Sequence, residues 1–117
     1  MKKLLLILLA LPLIGFGQTA EEYFNKAYDY AENEQYQLAI DNYTSALKIN
    51  SDFSEAYYKR GNAYEKLKNY TAAIADYTSA IKINPDYADA YMNRGITKEN
   101  AGLSYCSDYK RACDLGK

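Results

Sequence analysis

The sequence predicts an all-α protein, a solenoid of three antiparallel helix hairpins stacked side by side. Two observations predict this fold class. Apolar side chains recur every three or four residues, which is the spacing of one face of a helix. The chain also repeats itself, since residues 42–50 and 76–84 agree at seven of nine positions, 34 residues apart. A period of that length indicates stacked copies of one pair of helices.

The N-terminal segment Met1–Gly17 is predicted to be a secretory signal peptide of bacterial type, outside the fold. Lys2 and Lys3 precede an apolar run, residues 4–16, and small residues follow before a cleavage point. The run is shorter than the roughly 20 residues of a membrane span, although a retained anchor is the alternative. We expect an exported protein that begins at Gln18, with no membrane span after cleavage and a single domain over residues 18–117.

The first hairpin is predicted over residues 20–53. Its first helix should begin after Thr19, because Thr19 and Glu22 match the pattern of a capping box. Tyr23 and Ala27 lie on the apolar stripe of that helix, four residues apart. The same two places recur with the 34-residue period in the later hairpins.

The second hairpin, residues 54–87, shows the pattern most completely. Only four residues, 67–70, separate its two apolar stripes, so the helices must run antiparallel through a tight turn. Pro85 ends the second helix, because proline lacks an N–H donor and restricts the residue before it. Small residues let the helix axes approach, and large ones fill the space beside them. The predicted packing positions are Tyr57, Gly61 and Tyr64 in the first helix and Ala73, Tyr77 and Ala80 in the second.

The order of these residues resembles the consensus of the tetratricopeptide repeat, with tyrosine in place of the usual tryptophan. The resemblance covers about residues 20–117. It implies a right-handed α-solenoid in which the first helix of each hairpin lines a curved groove. It also implies that the partner is a protein or a peptide, whose identity the repeat pattern does not specify.

The third hairpin, residues 88–117, keeps Tyr91 and Gly95 at the repeat period but departs from it afterwards. Its turn is predicted to be two residues shorter, and with that deletion Tyr109 aligns with Tyr77. No further helix follows to cover its last helix. The outer face of that helix must therefore be polar enough for water, or it must pack on a second copy of the chain as a homodimer.

Cys106 and Cys113 align with two isoleucines of the second repeat, so both are interpreted as small buried apolar side chains. A disulfide between them is excluded by distance. Seven residues along one helix separate the Cα atoms by about 10.5 Å, whereas a disulfide needs less than about 7 Å. A disulfide between two chains is the alternative for an exported protein.

Charge and composition exclude several function classes. Without Lys2 and Lys3 the chain has 12 basic and 15 acidic residues, a net charge of −3, and the charges are scattered. No basic stripe is present to neutralise phosphates, so nucleic acid is not an expected partner. The sequence has no histidine and no glycine-rich phosphate loop. We therefore expect no enzymatic activity, no cofactor and no metal.

Two arginines recur beside the packing glycines. Arg60 precedes Gly61 and Arg94 precedes Gly95, while Asp76 and Asp108 hold equivalent places in the second helices. We interpret them as arginine–aspartate pairs within each hairpin. An anionic ligand held by two stacked arginines is the alternative.

The groove is the predicted functional site. Residues of the first helices that point away from the core stripe include aromatic and aliphatic side chains flanked by polar ones, which is typical of a binding surface. The predicted groove residues are Phe24, Tyr28, Tyr58, Lys59, Asn62, Met92, Asn93 and Ile96.

Some members of the family hold a C-terminal carboxylate with lysines and asparagines at defined groove positions. The matching positions in this chain are Phe24, Tyr28, Lys59, Asp89 and Asn93, so most of that clamp is missing. We therefore predict a groove that binds a peptide segment without that clamp. Structural self-assembly through the third repeat is the alternative function.

Overall fold

The computed structural model describes residues 17–117, which form six α-helices and no strand. The predicted all-α class is therefore confirmed, whereas the predicted signal peptide lies outside the described residues except for Gly17. None of the described helices has the length and apolarity of a membrane span. The helices are α1 (Ala20–Glu32), α2 (Tyr36–Ile49), α3 (Ser54–Lys66), α4 (Tyr70–Ile83), α5 (Ala88–Asn100) and α6 (Cys106–Asp114).

The helix ends follow from local chemistry. The Thr19 hydroxyl accepts a hydrogen bond from the Glu22 backbone N–H at 3.1 Å, which confirms the predicted cap of α1. The three hairpin turns share one left-handed residue at the 34-residue period. These residues are Glu34, Lys68 and Gly102, with φ angles of 59°, 60° and 74°.

The six helices pair into three hairpins, α1–α2, α3–α4 and α5–α6, and each hairpin packs on the next. Within the described residues α1 contacts α3 and α3 contacts α5, whereas the second helices of neighbouring hairpins do not contact one another. Because the first helices of neighbouring hairpins approach each other and the second helices do not, the array curves toward the first helices. They consequently line its concave side, as the family resemblance implied.

Tyrosine rings packed on small residues hold each hairpin together. Tyr77 lies against Gly61 and Tyr109 against Gly95, while Tyr43 is fully buried in the first hairpin. The predicted packing residues differ in how deeply they are buried. Ala27, Gly61, Ala73, Tyr77, Ala80 and Gly95 are buried, Tyr23, Tyr57, Tyr64 and Tyr91 are half-buried, and Pro85 is exposed in the turn after α4.

The predicted arginine–aspartate pairs are confirmed, and each also reaches the preceding hairpin. Arg60 donates through Nε and Nη2 to both carboxylate oxygens of Asp76 at 2.8 Å, and through Nη1 to the Thr44 hydroxyl at 3.1 Å. Arg94 makes the same bonds to Asp108, and its Nη1 donates to the Thr78 hydroxyl at 3.1 Å. Each guanidinium therefore joins three helices.

The third hairpin confirms the predicted register but not the predicted burial of its cysteines. Arg94 and Asp108 are 14 residues apart, whereas Arg60 and Asp76 are 16 apart, so two residues are missing. The loss falls after Gly102, and α6 lacks the first turn that α4 has.

Cys106 and Cys113 are both exposed and free, so their interpretation as buried apolar side chains is wrong. In the described chain α6 packs only on α5. The face that carries the two thiols therefore has no helix against it. The isoleucines at the matching places, Ile74 and Ile81, are half-buried.

We expect Gly61→Ala to destabilise the protein. A Cβ at that position would lie 2.8 Å from Cε1 of Tyr77, whose ring is fully buried and cannot retreat. Overpacking of this kind costs about 1–3 kcal/mol, which urea unfolding can measure. Gly95→Ala is the comparison variant: its Cβ would lie 2.6 Å from Cε1 of Tyr109, but that ring is only half-buried and can shift, so the loss of stability should be smaller. A Gly61→Ala protein as stable as the wild type would refute this account of the glycine.

We also expect Asp108 to make stability depend on pH. Burial acts to raise the pKa of its carboxyl, but hydrogen bonds from Arg94 and Lys98 outweigh burial and lower it. A lowered pKa stabilises the folded state above the unfolded value of about 3.9, and this stabilisation is lost as pH falls through the folded value.

The measurement is the difference in unfolding free energy between the wild type and Asp108→Asn. It should stay constant above about pH 5 and shrink below about pH 4. Asp52→Asn, at an exposed position, serves as the control and should show little difference at any pH. A wild-type advantage that grows with acidity would contradict the direction given for Asp108.

Candidate functional site

The predicted groove residues differ in solvent exposure. Tyr28 and Ile96 are exposed, at 40% and 37% of their surface. The others, Tyr58, Lys59, Asn62, Met92 and Asn93, are half-buried, and Phe24 is buried. The groove floor is therefore polar and aromatic at its centre, with exposed apolar groups at two places along it.

Phe24 does not belong to the exposed surface, and its prediction as a groove residue is wrong. Its ring stacks on Phe53 at 4.9 Å between centroids and meets the edge of Tyr43 at 5.5 Å. It is only 9% exposed and belongs to the core of the first two hairpins. Phe53, in the connection before α3, supplied the apolar neighbour that a count along α1 alone could not reveal.

A hydrogen-bonded network fixes the centre of the groove between the second and third hairpins. Asn93 Nδ2 donates to Asn62 Oδ1 and to the Tyr58 hydroxyl, both at 2.9 Å. Asn62 Oδ1 also lies 2.7 Å from the Tyr77 hydroxyl, which can donate to it. Tyr58 in turn packs its ring on Tyr87 at 4.9 Å between centroids. These amides and rings are held in place before any partner arrives.

Lys59 lies where the first and second hairpins meet. Its Nζ is 5.3 Å from the ring centroid of Tyr28 and 5.8 Å from that of Tyr58. Both distances fall within the range of a cation–π contact. Neither Lys59 nor Lys66, about two turns further along the same face of α3, forms an ion pair with a carboxylate in the described chain. Both ammonium groups are available to an acceptor in the groove.

A pocket of about 200 Å³ opens beside these lysines, between α1, α2 and α3. Its walls include Tyr28, Tyr36, Tyr43, Lys59, Asn62 and Lys66, with Glu32 as the acidic group. Of these residues, Tyr28, Lys59 and Asn62 are predicted groove residues, and the others were not predicted from the sequence. Tyr36 and Tyr43 were missed because they belong to α2, and groove positions were counted only along first helices.

The Tyr43 hydroxyl is the one buried side-chain polar atom of the described residues that lacks a hydrogen-bond partner. Its counterparts in the other hairpins have carboxylate neighbours. The Tyr77 hydroxyl lies 3.1 Å from Glu65 Oε2, and the Tyr109 hydroxyl donates to Glu99 Oε2 at 2.8 Å. The position that matches these glutamates in the first hairpin is Ala31. A comparison of the repeats position by position would have found this difference.

The hydroxyls of Tyr43, Tyr77 and Tyr109 keep their protons at neutral pH, because the pKa of each is raised. Burial raises the pKa of Tyr43, and the neighbouring Tyr28 and Glu55 raise it further. Burial likewise raises the pKa of Tyr77. The hydrogen bond to Glu99 is the largest cause that raises the pKa of Tyr109 to about 12. Tyr43, one of the pocket walls, therefore carries an O–H donor at neutral pH.

Known proteins resemble the chain in sequence and in fold. Family models described as "Tetratricopeptide repeat" and "TPR repeat" match residues 54–87 and 27–68. The search of curated proteins found no match.

Among solved structures, MamA is 29% identical, with a TM-score of 0.81 over 83% of this chain. This chain spans 58% of that MamA chain. The Arabidopsis OM64 TPR domain is 26% identical, with a TM-score of 0.80 over 83% of this chain and 82% of its own. The first TPR of Spaghetti (RPAP3), bound to the HSP90 peptide SRMEEVD, is 28% identical, with a TM-score of 0.75 over 83% and 79% of the two chains.

We expect Tyr43→Phe and Tyr77→Phe to have different effects on the free energy of unfolding. Tyr43→Phe removes a buried hydroxyl that has no partner, so the free energy of unfolding should stay unchanged or rise by up to ~1 kcal/mol. Tyr77→Phe removes a hydroxyl that contacts Asn62 and Glu65, and should cost about 1 kcal/mol. Equal losses in the two variants, measured by urea unfolding, would show that the Tyr43 hydroxyl is satisfied in solution.

Proposed function

The chain contains tetratricopeptide repeats, and from this premise we propose that it is an exported module that binds a peptide segment of a partner protein. The peptide lies in the concave groove formed by α1, α3 and α5. The observation that carries the proposal is the row of exposed and half-buried apolar side chains across these three helices. The row consists of Tyr28, Tyr58, Met92 and Ile96.

The chemistry of the row suits an extended peptide. Apolar anchors give binding energy by excluding water, and neighbouring amides and ammonium groups hydrogen-bond a peptide backbone or acidic side chains. Asn62, Asn93 and Lys59 supply those polar groups between the anchors. The first TPR of Spaghetti (RPAP3), which is similar in fold, has been solved with a bound peptide. That similarity supports peptide binding here without naming a partner.

Preorganisation favours affinity in this groove. Ordering a flexible side chain on binding costs about 0.5–1.5 kcal/mol, and the central groups avoid much of that cost. Asn62 and Asn93 are already bonded to each other, and Tyr58 is held between Asn93 and Tyr87. The central third of the groove therefore acts as a rigid surface, while Tyr28 and Ile96 remain free to adjust.

Export is part of the proposal and rests on the N-terminal sequence. The segment Met1–Gly17 has the basic start and the apolar run of a secretory signal. Outside the cytoplasm, the partner would be a secreted or envelope protein. N-terminal sequencing of the protein recovered from its native cells is the direct check, with Gln18 as the expected first residue.

Self-assembly is the second candidate function, and the exposed thiols favour it. Cys106 and Cys113 both lie on the uncovered face of α6, where a second chain could reach them. In an oxidising compartment, exposed thiols of two copies can form a disulfide. A dimer on non-reducing gels that disappears on reduction, and in a Cys106→Ser/Cys113→Ser variant, would support it. A monomer under both conditions would remove it.

Selection from a displayed random-peptide library tests the groove. The protein should select peptides, and Tyr28→Ala combined with Ile96→Ala should weaken the best of them at least tenfold, as loss of two anchors at about 1 kcal/mol each predicts.

The matched control is Leu38→Ala combined with Ile49→Ala, which removes similarly exposed apolar groups from α2. It should leave peptide affinity unchanged. Selection of no peptide, or an equal loss in the two double variants, would refute binding in the groove.

A further inference from the structure

We infer that the pocket between the first two hairpins binds the carboxylate side chain of an aspartate or glutamate, with the Tyr43 hydroxyl as donor. The inference deepens the proposed function, because it names the side chain that a bound peptide would place at this point of the groove. It stands on three observations: an unpartnered buried donor, the place of a missing glutamate, and the charge of the pocket wall.

The first observation is the donor itself. Tyr43 is fully buried, its hydroxyl has no partner among the described residues, and the residue forms part of the pocket wall. A buried polar group without a hydrogen bond is destabilising, and native proteins rarely keep one without a reason. An acceptor that enters the pocket would satisfy it.

The second observation identifies the acceptor. In the second and third hairpins the equivalent tyrosine lies beside a glutamate carboxylate, Glu65 or Glu99, at 3.1 Å and 2.8 Å. The equivalent place in the first hairpin belongs to Ala31, which also lines the pocket. The first hairpin thus keeps the tyrosine and lacks the carboxylate. A carboxylate supplied by a ligand would complete the arrangement that the other two hairpins build from their own residues.

The third observation is charge and size. Lys59 and Lys66 line the pocket against one acid, Glu32, so the wall is positive overall in a chain that is acidic overall. The side chain of Asn62 adds another polar group. A volume of about 200 Å³ is several times the ~30 Å³ that one water occupies in the liquid, so a whole carboxylate side chain fits.

The site differs from the clamp with which some members of the family hold a C-terminal carboxylate. Of the clamp positions, only Tyr28 and Lys59 line this pocket. Its donor, Tyr43, comes from a second helix, and no clamp position lies there. The proposed ligand is therefore a side chain within a peptide.

The test uses blocked amino acids, so that no free chain terminus can bind. The probe is N-acetyl-glutamate N-methylamide, and its neutral control is N-acetyl-glutamine N-methylamide. Titration of the ¹⁵N-labelled protein should give saturable shifts of the backbone amides of Asn62, Ala63 and Lys66 at millimolar glutamate probe. The glutamine probe should bind about tenfold more weakly, since it lacks the charge.

Three variants distinguish the loss of the Tyr43 donor from a general effect on the fold. Tyr43→Phe should weaken the glutamate probe about tenfold, the loss of one hydrogen bond to a charged group. Tyr109→Phe is the matched control, because its hydroxyl donates to Glu99 in the third hairpin and neither residue lines the pocket, and it should bind like the wild type. Ala31→Glu restores the glutamate of the other hairpins. It should abolish binding and raise the midpoint of urea unfolding, because the protein then fills its own pocket.

Equal binding of the glutamate and glutamine probes, unchanged binding in Tyr43→Phe, or no saturable shift in the wild type would each overturn the inference. N-acetyl-glycine, which carries only a chain-terminal carboxylate, serves as a third probe in the same titration. If it binds and the blocked glutamate does not, the side-chain assignment is wrong. Peptide selection is an independent measurement, so a groove that binds peptides without an acidic residue refutes this site and leaves the proposed function intact.

Discussion

The arginine beside each packing glycine joins its own hairpin to the one before it. Arg60 and Arg94 each hold an aspartate across their hairpin through two bonds, and each reaches a threonine of the preceding hairpin, Thr44 or Thr78. Because one rigid, planar group makes all three bonds, the angle inside a hairpin and the stacking of hairpins are fixed together. The curvature of the groove, and hence the spacing of its side chains, depends on this bridge.

The first hairpin lacks that bridge and differs in its interior. Its equivalent of Arg60 is Lys26, which is exposed, and no earlier hairpin is present within the described residues for it to join. The same hairpin has alanine where the others have a glutamate beside the tyrosine. The absence of that glutamate leaves the Tyr43 hydroxyl without a partner among the described residues and leaves space next to it. The proposed carboxylate pocket is thus a local break in an otherwise regular repeat.

The third hairpin breaks the repeat in a different way. Lys98 stands where the second repeat has Tyr64, and its ammonium binds Asp108 at 3.0 Å, so this aspartate has two cationic partners. Asp76 has only Arg60, and burial raises the pKa of its carboxyl. The extra cation holds α6 although that helix has lost its first turn. The ion pair between Lys98 and Asp108 therefore compensates for part of the packing that α6 lacks because it is shorter.

The sequence by itself determined the hairpins, their register and the arginine–aspartate pairs, because a 34-residue period repeats the same short-range contacts at known spacing. It predicted which positions of the first helices turn away from the core stripe but not how deeply each is buried. Only the tertiary structure placed Phe24 beneath Phe53, exposed Cys106 and Cys113, and brought Tyr43 to the wall of a pocket with Lys66. The physical reason is that helical periodicity specifies which face a residue occupies. What covers that face depends on the neighbouring hairpin, which is absent beyond α6 in the described chain and varies from one repeat to the next.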